Sequence, residues 1–268
     1  MYTAPTDEAL LFDVIETKKM GGYNMIRKHV KVEPARWYYH CDREGILVWQ
    51  DMPSGDMGNT WEMYKYNGGT DKDRTQASKD NFSKEWKEIM DLCISSPSVV
   101  VWVPFNEAWG GQFDTERIAD WTKEYDPSRL VNPASGGNHR PCGGDMMDLH
   151  NYPGGPAMKL FDPQRVNVLG EYGGIGFAME DHLWWNKRNW GYVQFKSAEE
   201  VTAEYEKYAK DLIKYVRLGF SGAVYTQTTD VEGEVNGLFT YDRKVLKVIP
   251  DRIKSANKEV IESMKLPD

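Results

Sequence analysis

The sequence lacks the features that would assign it to several large function classes. Cysteine occurs only at Cys41, Cys93 and Cys142, too few and too scattered for a disulfide framework. No Cys-x-x-Cys or His-Glu-x-x-His spacing occurs, so a structural or protease-type zinc site lacks its ligand pattern. No run approaches the ~18 apolar residues of a membrane-crossing helix. Positive charge is in deficit: the net charge is −8, which disfavours nucleic acid as a partner, because phosphates are met by clustered Lys and Arg. Gly173-Gly174-Ile175-Gly176 lacks the spacing of a dinucleotide fingerprint and reads instead as a sharp backbone turn. No cofactor or metal is expected. Residues 1–5 show no basic segment leading into an apolar one, so no signal peptide is read; compartment and oligomeric state stay open.

Aromatic rings are abundant. The 268 residues include ten Trp and fifteen Tyr, and Trp61, Trp109, Trp184, Trp185 and Trp190 fall in segments that read as loops. Packing is one use for such rings. Sugar recognition is another, since flat aromatic faces cover the C–H faces of pyranoses while N–H and O–H groups reach hydroxyls.

Hydrophobic periodicity alternates between strand and helix along the chain. Helices are expected over 7–20, over 34–43 behind Pro34 at the first helical position, and from an Asp80 cap through Phe82, Trp86, Ile89 and Cys93. Further helices are expected over 115–125, over 197–216 with Ser197 and Glu200 as a capping box, and over 250–264. Strands are expected over 24–26, 46–50, 99–105, 130–134, 147–152, 166–170 and 222–226. The polar, Gly-rich stretch 54–78 reads as one long loop. The continuous apolar run 99–105 is typical of a strand covered on both faces, as in parallel sheets.

About seven strands alternating with seven or eight helices imply an α/β fold of right-handed crossovers. The length suits a single eight-stranded (β/α)8 TIM barrel, which takes ~250 residues. The chain opens on a helix, so the expectation is one catalytic barrel over 1–268 with its first strand upstream of Met1.

In such a barrel the active site lies at the C-terminal strand ends. Asn106-Glu107 follow the run 99–105, Glu171 follows 166–170, His150 and Tyr152 end 147–152, and Arg27 ends 24–26. Two carboxylates at strand ends are what glycoside cleavage requires: one protonated to assist the leaving oxygen, one ionised to attack the anomeric carbon. Apolar Phe105 and Trp109 flank Glu107, which favours a protonated carboxyl. Arg27 and Tyr152 are expected to supply donors that keep Glu171 ionised. From spacing alone, the competing reading has each glutamate simply closing a salt bridge.

The motifs make the resemblance specific. Gly22-Tyr23-Asn24-Met25-Ile26-Arg27-Lys28-His29, Leu47-Val48-Trp49-Gln50-Asp51-Met52-Pro53, Trp102-Val103-Pro104-Phe105-Asn106-Glu107-Ala108-Trp109-Gly110, Gly170-Glu171-Tyr172-Gly173-Gly174 and Tyr225-Thr226-Gln227-Thr228-Thr229-Asp230 resemble the barrel domain of glycoside hydrolase family 2. That family contains β-galactosidases, β-glucuronidases and β-mannosidases. The resemblance implies that Glu107 is the acid/base, Glu171 the nucleophile, Asn106 the ligand of the sugar 2-hydroxyl, and Arg27 and Tyr152 supports for the nucleophile. Asp51, His150 and Trp109 are further candidates for substrate contact or support, and His29 joins them at the mouth.

The sequence also departs from the family. Asp51-Met52 stands where metal-binding β-galactosidases have Asp-Glu, so their magnesium site is not expected. Glu234 and Asn236 stand where β-glucuronidases place an Asn-x-Lys pair for the uronate carboxylate, which leaves Lys28, Lys31 or Arg140 to compensate. Asp230, Glu232 and Glu234 read as a solvated acidic loop.

The resulting expectation is a retaining, exo-acting, β-galactosidase-like hydrolase with a carbohydrate substrate. Carboxylates ~5–5.5 Å apart would accord with retention and ~6.5–9.5 Å with inversion. The rival readings are a non-catalytic carbohydrate-binding barrel, for want of the family's N-terminal β-domains, and an endo-acting glycanase of the same clan.

Overall fold

The computed structural model describes residues 5–56, 58–60, 69–107, 110–140 and 143–265. Its backbone runs through α1 (Asp7–Gly21), β1 (Met25–Lys28), α2 (Ala35–Glu44), β2 (Leu47–Asp51), α3 (Gln76–Cys93), β3 (Val99–Val103), α4 (Thr115–Tyr125) and β4 (Leu130–Val131). It continues through β5 (Met146–Asn151), β6 (Val166–Gly173), β7 (Ile175–Gly176), β8 (Val193–Gln194), α5 (Ala198–Val216), β9 (Phe220–Thr226) and α6 (Pro250–Ser263). All seven strands read from sequence are present, joined by the two-residue β7 and β8, which no periodicity signals. The helices described are fewer than the seven or eight expected: the segment between β5 and β6 holds turns instead.

The chain divides into two compact units. The first contains Asn24–Leu149 and Lys159–Val168, together with the chain up to Glu16. Its sheet runs β1-β2-β3-β4, every pairing parallel. Because parallel strands are covered on both faces, β3 is buried along almost its whole length. Trp102 of β3 meets Trp86 of α3 edge to face at 5.7 Å. Both indole N–H groups are satisfied, Trp86 by Thr122 Oγ1 at 2.9 Å and Trp102 by Asp126 Oδ2 at 3.0 Å, so two large rings are buried without orphaned donors. Phe82, Phe105 and Phe113 form a second aromatic knot where the chain leaves β3. Cys41 and Cys93 are buried free thiols, pushed by burial up to about 12 and about 11.

Helix starts differ from expectation where a competing cap wins. Thr75, not Asp80, caps α3, its hydroxyl accepting from the Ser78 amide at 3.3 Å. Asp80 lies inside the helix and accepts from the Gln76 side chain, so the loop expected over 54–78 ends earlier. Pro34 is the cap residue of α2 rather than its first helical residue. β4 stops at Val131, not 134, because Pro133 has no N–H to give to a ladder.

Asp126 links this core to pH. Burial works to raise its pKa, but hydrogen bonds from Ser128, Arg129 and Trp102 outweigh it and hold the carboxyl at about 2. A folded pKa below the unfolded value stabilises the fold above the unfolded pKa and is lost as pH falls through the folded one. Denaturant titrations should therefore show about 2 kcal/mol of stability disappearing between pH 4 and 2, and Asp126→Asn should flatten that slope.

The second unit contains Thr17–Tyr23, His150–Met158 and Leu169–Asp268. The Ser197 cap of α5 forms as read, its side chain accepting from the Glu200 amide. α5 buries Val201, Tyr205, Tyr208 and Leu212. α6 is tied to it by the paired hydrogen bonds of Arg252 to Glu206 at 2.7 and 2.6 Å and by Tyr205 OH donating to Asn257 at 2.6 Å. Beyond Gly219 (φ 105°), β9 begins at Phe220, two residues earlier than expected. Strand residues 169–173 and 220–226 belong to the sheet β5-β6-β9 and bring the C-terminal ends of β6 and β9 into this unit.

Candidate active site

Within the first unit, the strand ends gather Arg27, Asp51, Asn106 and Glu107. Arg27 ends on a bidentate pair with Asp51: Nε to Oδ1 at 3.1 Å and Nη2 to Oδ2 at 2.7 Å. The two side chains are 1% and 0% exposed. Asp51 Oδ2 also accepts from the Val30 amide at 3.2 Å. Held so, Arg27 donates Nη2 to Asn106 Oδ1 at 2.5 Å. The amide thus has its oxygen turned to the guanidinium and its Nδ2 turned to His29 Nε2, 3.2 Å away. Asp51 therefore aims Arg27, and Arg27 aims a buried amide that offers a donor.

Glu107 follows immediately, in the left-handed region at φ 53°. Its amide donates to Ser135 O at 2.8 Å and its carbonyl accepts from Gly110 at 3.3 Å. A bulky residue in that region costs on the order of 1–3 kcal/mol and persists where the surroundings impose it, commonly at functional sites. Trp109, expected beside Glu107, lies outside the described residues.

Within the second unit, Glu171 is 13% exposed and its Oε2 lies 3.5 Å from His150 Nδ1. The Tyr152 hydroxyl is 3.1 Å from the same oxygen and 2.6 Å from Thr226 Oγ1. One phenolic proton serves one acceptor at a time, but the threonine hydroxyl brings its own proton. With Thr226 donating to the phenolic oxygen, Tyr152 gives its hydrogen to the carboxylate. Burial first, then the charge of Glu171, raises the Tyr152 pKa well above the usual phenol range, so it stays a donor. Tyr192 stacks on Tyr152 with ring centres 4.1 Å apart and planes 13° from parallel.

Glu171 lies inside β6 rather than after it, because the strand runs on to Gly173. Gly173 and Gly174 then turn the chain at φ 120° and 70°, as expected. A side chain on Gly173 would stand 2.7 Å from the Tyr225 ring and one on Gly174 2.4 Å from Tyr192, so both positions require glycine.

The acidic loop is not uniformly solvated. Asp230 is buried, with Lys247 Nζ at 2.6 Å from Oδ1; their side chains are 3% and 1% exposed. That ammonium also donates to the Phe177 and Val235 carbonyls. Glu234 is half-buried, and burial, then the charges of Glu171 and Asp230, raise its pKa. Glu232 alone of the three is exposed. The cations considered as uronate partners are already engaged: Lys28 and Lys31 with Glu33 at 2.6 and 2.9 Å, Arg140 with Asp71 at 3.0 Å.

Thr226 and Tyr192 were not singled out from sequence. Their signals, a hydroxyl ending the last apolar strand and an aromatic beside Gly191, are too common to stand out without the partners they meet.

Replacing Asp51 with Asn should cost about 3 kcal/mol in denaturant unfolding, because a buried guanidinium loses its counter-charge. It should also lower kcat on any substrate turned over by about 10- to 100-fold as Asn106 loses its aim. Unchanged kcat would remove Arg27 and Asp51 from the site.

Residues 6–149, just over half of the chain, match the family model described as glycosyl hydrolases family 2, TIM barrel domain. A β-galactosidase of Priestia megaterium is 25% identical over 178 residues, 62% of this chain and 16% of that protein. The crystal structure of an FMN-binding beta-glucuronidase from Facaelibacterium prausnitzii L2-6 aligns with a TM-score of 0.66 and 20% identity, over 98% of this chain and 42% of that one. A GH2 beta-galacturonidase from Eisenbergiella tayi bound to galacturonate aligns with a TM-score of 0.68 and 15% identity, over 96% and 48%. These likenesses show an α/β fold of the TIM-barrel class. The chain spans less than half the length of each of these relatives.

Proposed function

Because the chain belongs to glycosyl hydrolases family 2, we propose that it is the catalytic barrel of a retaining, exo-acting β-glycosidase whose substrate is a neutral, galactoside-like sugar. Glu171 attacks the anomeric carbon while Glu107 protonates the departing oxygen. Glu107 then takes a proton from water, which hydrolyses the glycosyl-enzyme. The reading rests chiefly on Glu171: its carboxylate accepts from a tyrosine that burial keeps protonated, and such a donor favours an ionised, oriented carboxylate over a protonated one. Asn106, its oxygen held by Arg27 and its Nδ2 facing His29, supplies a donor for a sugar hydroxyl. His150 stands against Glu171 and serves as a second support.

The preference for a neutral glycone follows from charge. Glu234 stands close enough to Glu171 to feel its charge, and a uronate carboxylate beside these two acids would be repelled. Lys28, Lys31 and Arg140 already serve carboxylates of the protein.

A panel of nitrophenyl β-galactoside, β-glucoside, β-mannoside and β-glucuronide tests the proposal, run on this chain and on a version extended upstream. Turnover of a neutral glycoside with no glucuronide turnover is the expected result. Sugar binding without turnover by either version would favour a non-catalytic carbohydrate-binding barrel, and glucuronide turnover would reject the charge argument.

A further inference from the structure

Three tryptophans of the second unit expose their rings where one would expect them to be hidden. Trp184 is 63% exposed, Trp185 49% and Trp190 43%. They are not scattered: together with Arg188, Glu232 and Gly233 they line one cavity of about 330 Å³. Clustered exposed rings mark a binding surface more often than single ones do. The lining combines flat apolar faces with one cationic and one anionic side chain, the pairing that covers a pyranose C–H face and reaches its hydroxyls.

The walls are fixed by backbone bonds. The Trp190 amide donates to Gly233 O at 2.8 Å, and the Val235 amide donates to Trp190 O at 2.8 Å. Trp184 is braced edge-on by Tyr241 at 5.5 Å. The buried Lys247–Asp230 pair anchors the 230–235 turn from beneath.

One wall of the cavity is linked to the nucleophile through packed rings. Trp190 meets Tyr192 edge to face at 5.3 Å, Tyr192 stacks on Tyr152, and Tyr152 reaches Glu171. Resting on the proposed function, we infer that this tryptophan-lined cavity is a leaving-group subsite that holds a pyranose ring of an oligosaccharide whose terminal sugar lies against Glu171. In an exo-acting enzyme only the leaving-group side continues beyond the terminal sugar, so a cavity whose Trp190 wall packs on Tyr192, next to the nucleophile's Tyr152, belongs to that side. Arg188 and Glu232 then pair with hydroxyls of the departing oligosaccharide.

The test compares two substrates of one glycone. β-D-Galactosyl fluoride has no sugar on the leaving side, whereas β-1,4-galactotriose does; if the nitrophenyl panel selects another sugar, the same pair is built on that sugar. Trp185→Ala should lower kcat/KM on the trisaccharide about tenfold, mainly through KM, and change turnover of the fluoride less than about threefold. Trp185→Phe should restore most of the loss. Equal losses on both substrates, or none on the trisaccharide, would overturn the subsite. If no glycoside is hydrolysed the proposed function fails by itself, and calorimetric titration with galactotriose then decides the subsite. Binding abolished by Trp185→Ala sustains it, and no binding, or binding that the substitution leaves intact, overturns it.

Discussion

Glu171→Gln is expected to lower kcat for β-glycoside hydrolysis by about 10⁴-fold or more, on good and poor leaving groups alike, with little change in the unfolding midpoint. Glutamine keeps the shape of the side chain and can still accept from Tyr152, but its amide oxygen is too weak a nucleophile to form the glycosyl-enzyme. The smaller Glu171→Ala makes room for an external anion. Added azide should then attack from the vacated side and yield a glycosyl azide of inverted configuration. Loss of less than about tenfold in Glu171→Gln would show that another group does the chemistry.

Glu107→Gln is expected to separate substrates in a way Glu171→Gln does not. Protonation of the leaving oxygen matters little when that oxygen is already a good leaving group, so kcat/KM, which reports the first step, should fall about tenfold or less on a dinitrophenyl glycoside and about 10³-fold or more on an alkyl glycoside. With the dinitrophenyl substrate, added azide should restore the second step without needing a base and yield a glycosyl azide of retained configuration. Equal loss on all substrates, with no azide response, would remove Glu107 from the acid/base role. The opposite azide stereochemistry in the two variants is the pattern that distinguishes the roles.

Much of the fold was legible because its signals are local. The apolar run 99–105 needs no partner to announce a covered strand, and Ser197 with Glu200 marks a helix start within four residues. Local signals fail where two compete or where the decisive partner is remote. Asp80 looked like a cap, but Thr75, five residues earlier, takes the role. Asp230 looked solvated because nothing near it in sequence suggests burial; Lys247, seventeen residues on, pairs with it inside. The same limit governs the site. Arg27, Asn106, Glu107, Tyr152 and Glu171 stand out as candidates because each ends an apolar run. The use of Asp51 to orient Arg27, the hydrogen bond between Tyr152 and Thr226 and the stacking of Tyr192 are contacts between distant segments and follow only from the folded chain. The exposed tryptophans lie between: their count and their place in loops were visible, while their convergence on one cavity was not.

The most direct test of the account is to trap the intermediate. Incubation with a 2-deoxy-2-fluoroglycosyl fluoride of the preferred sugar slows the second step more than the first, and peptide mass mapping then locates the attached sugar. The account predicts one fluorosugar per chain, on the peptide containing Glu171 and absent in Glu171→Gln. Label on any other carboxylate, or an unlabelled enzyme that releases product of inverted configuration, would contradict it.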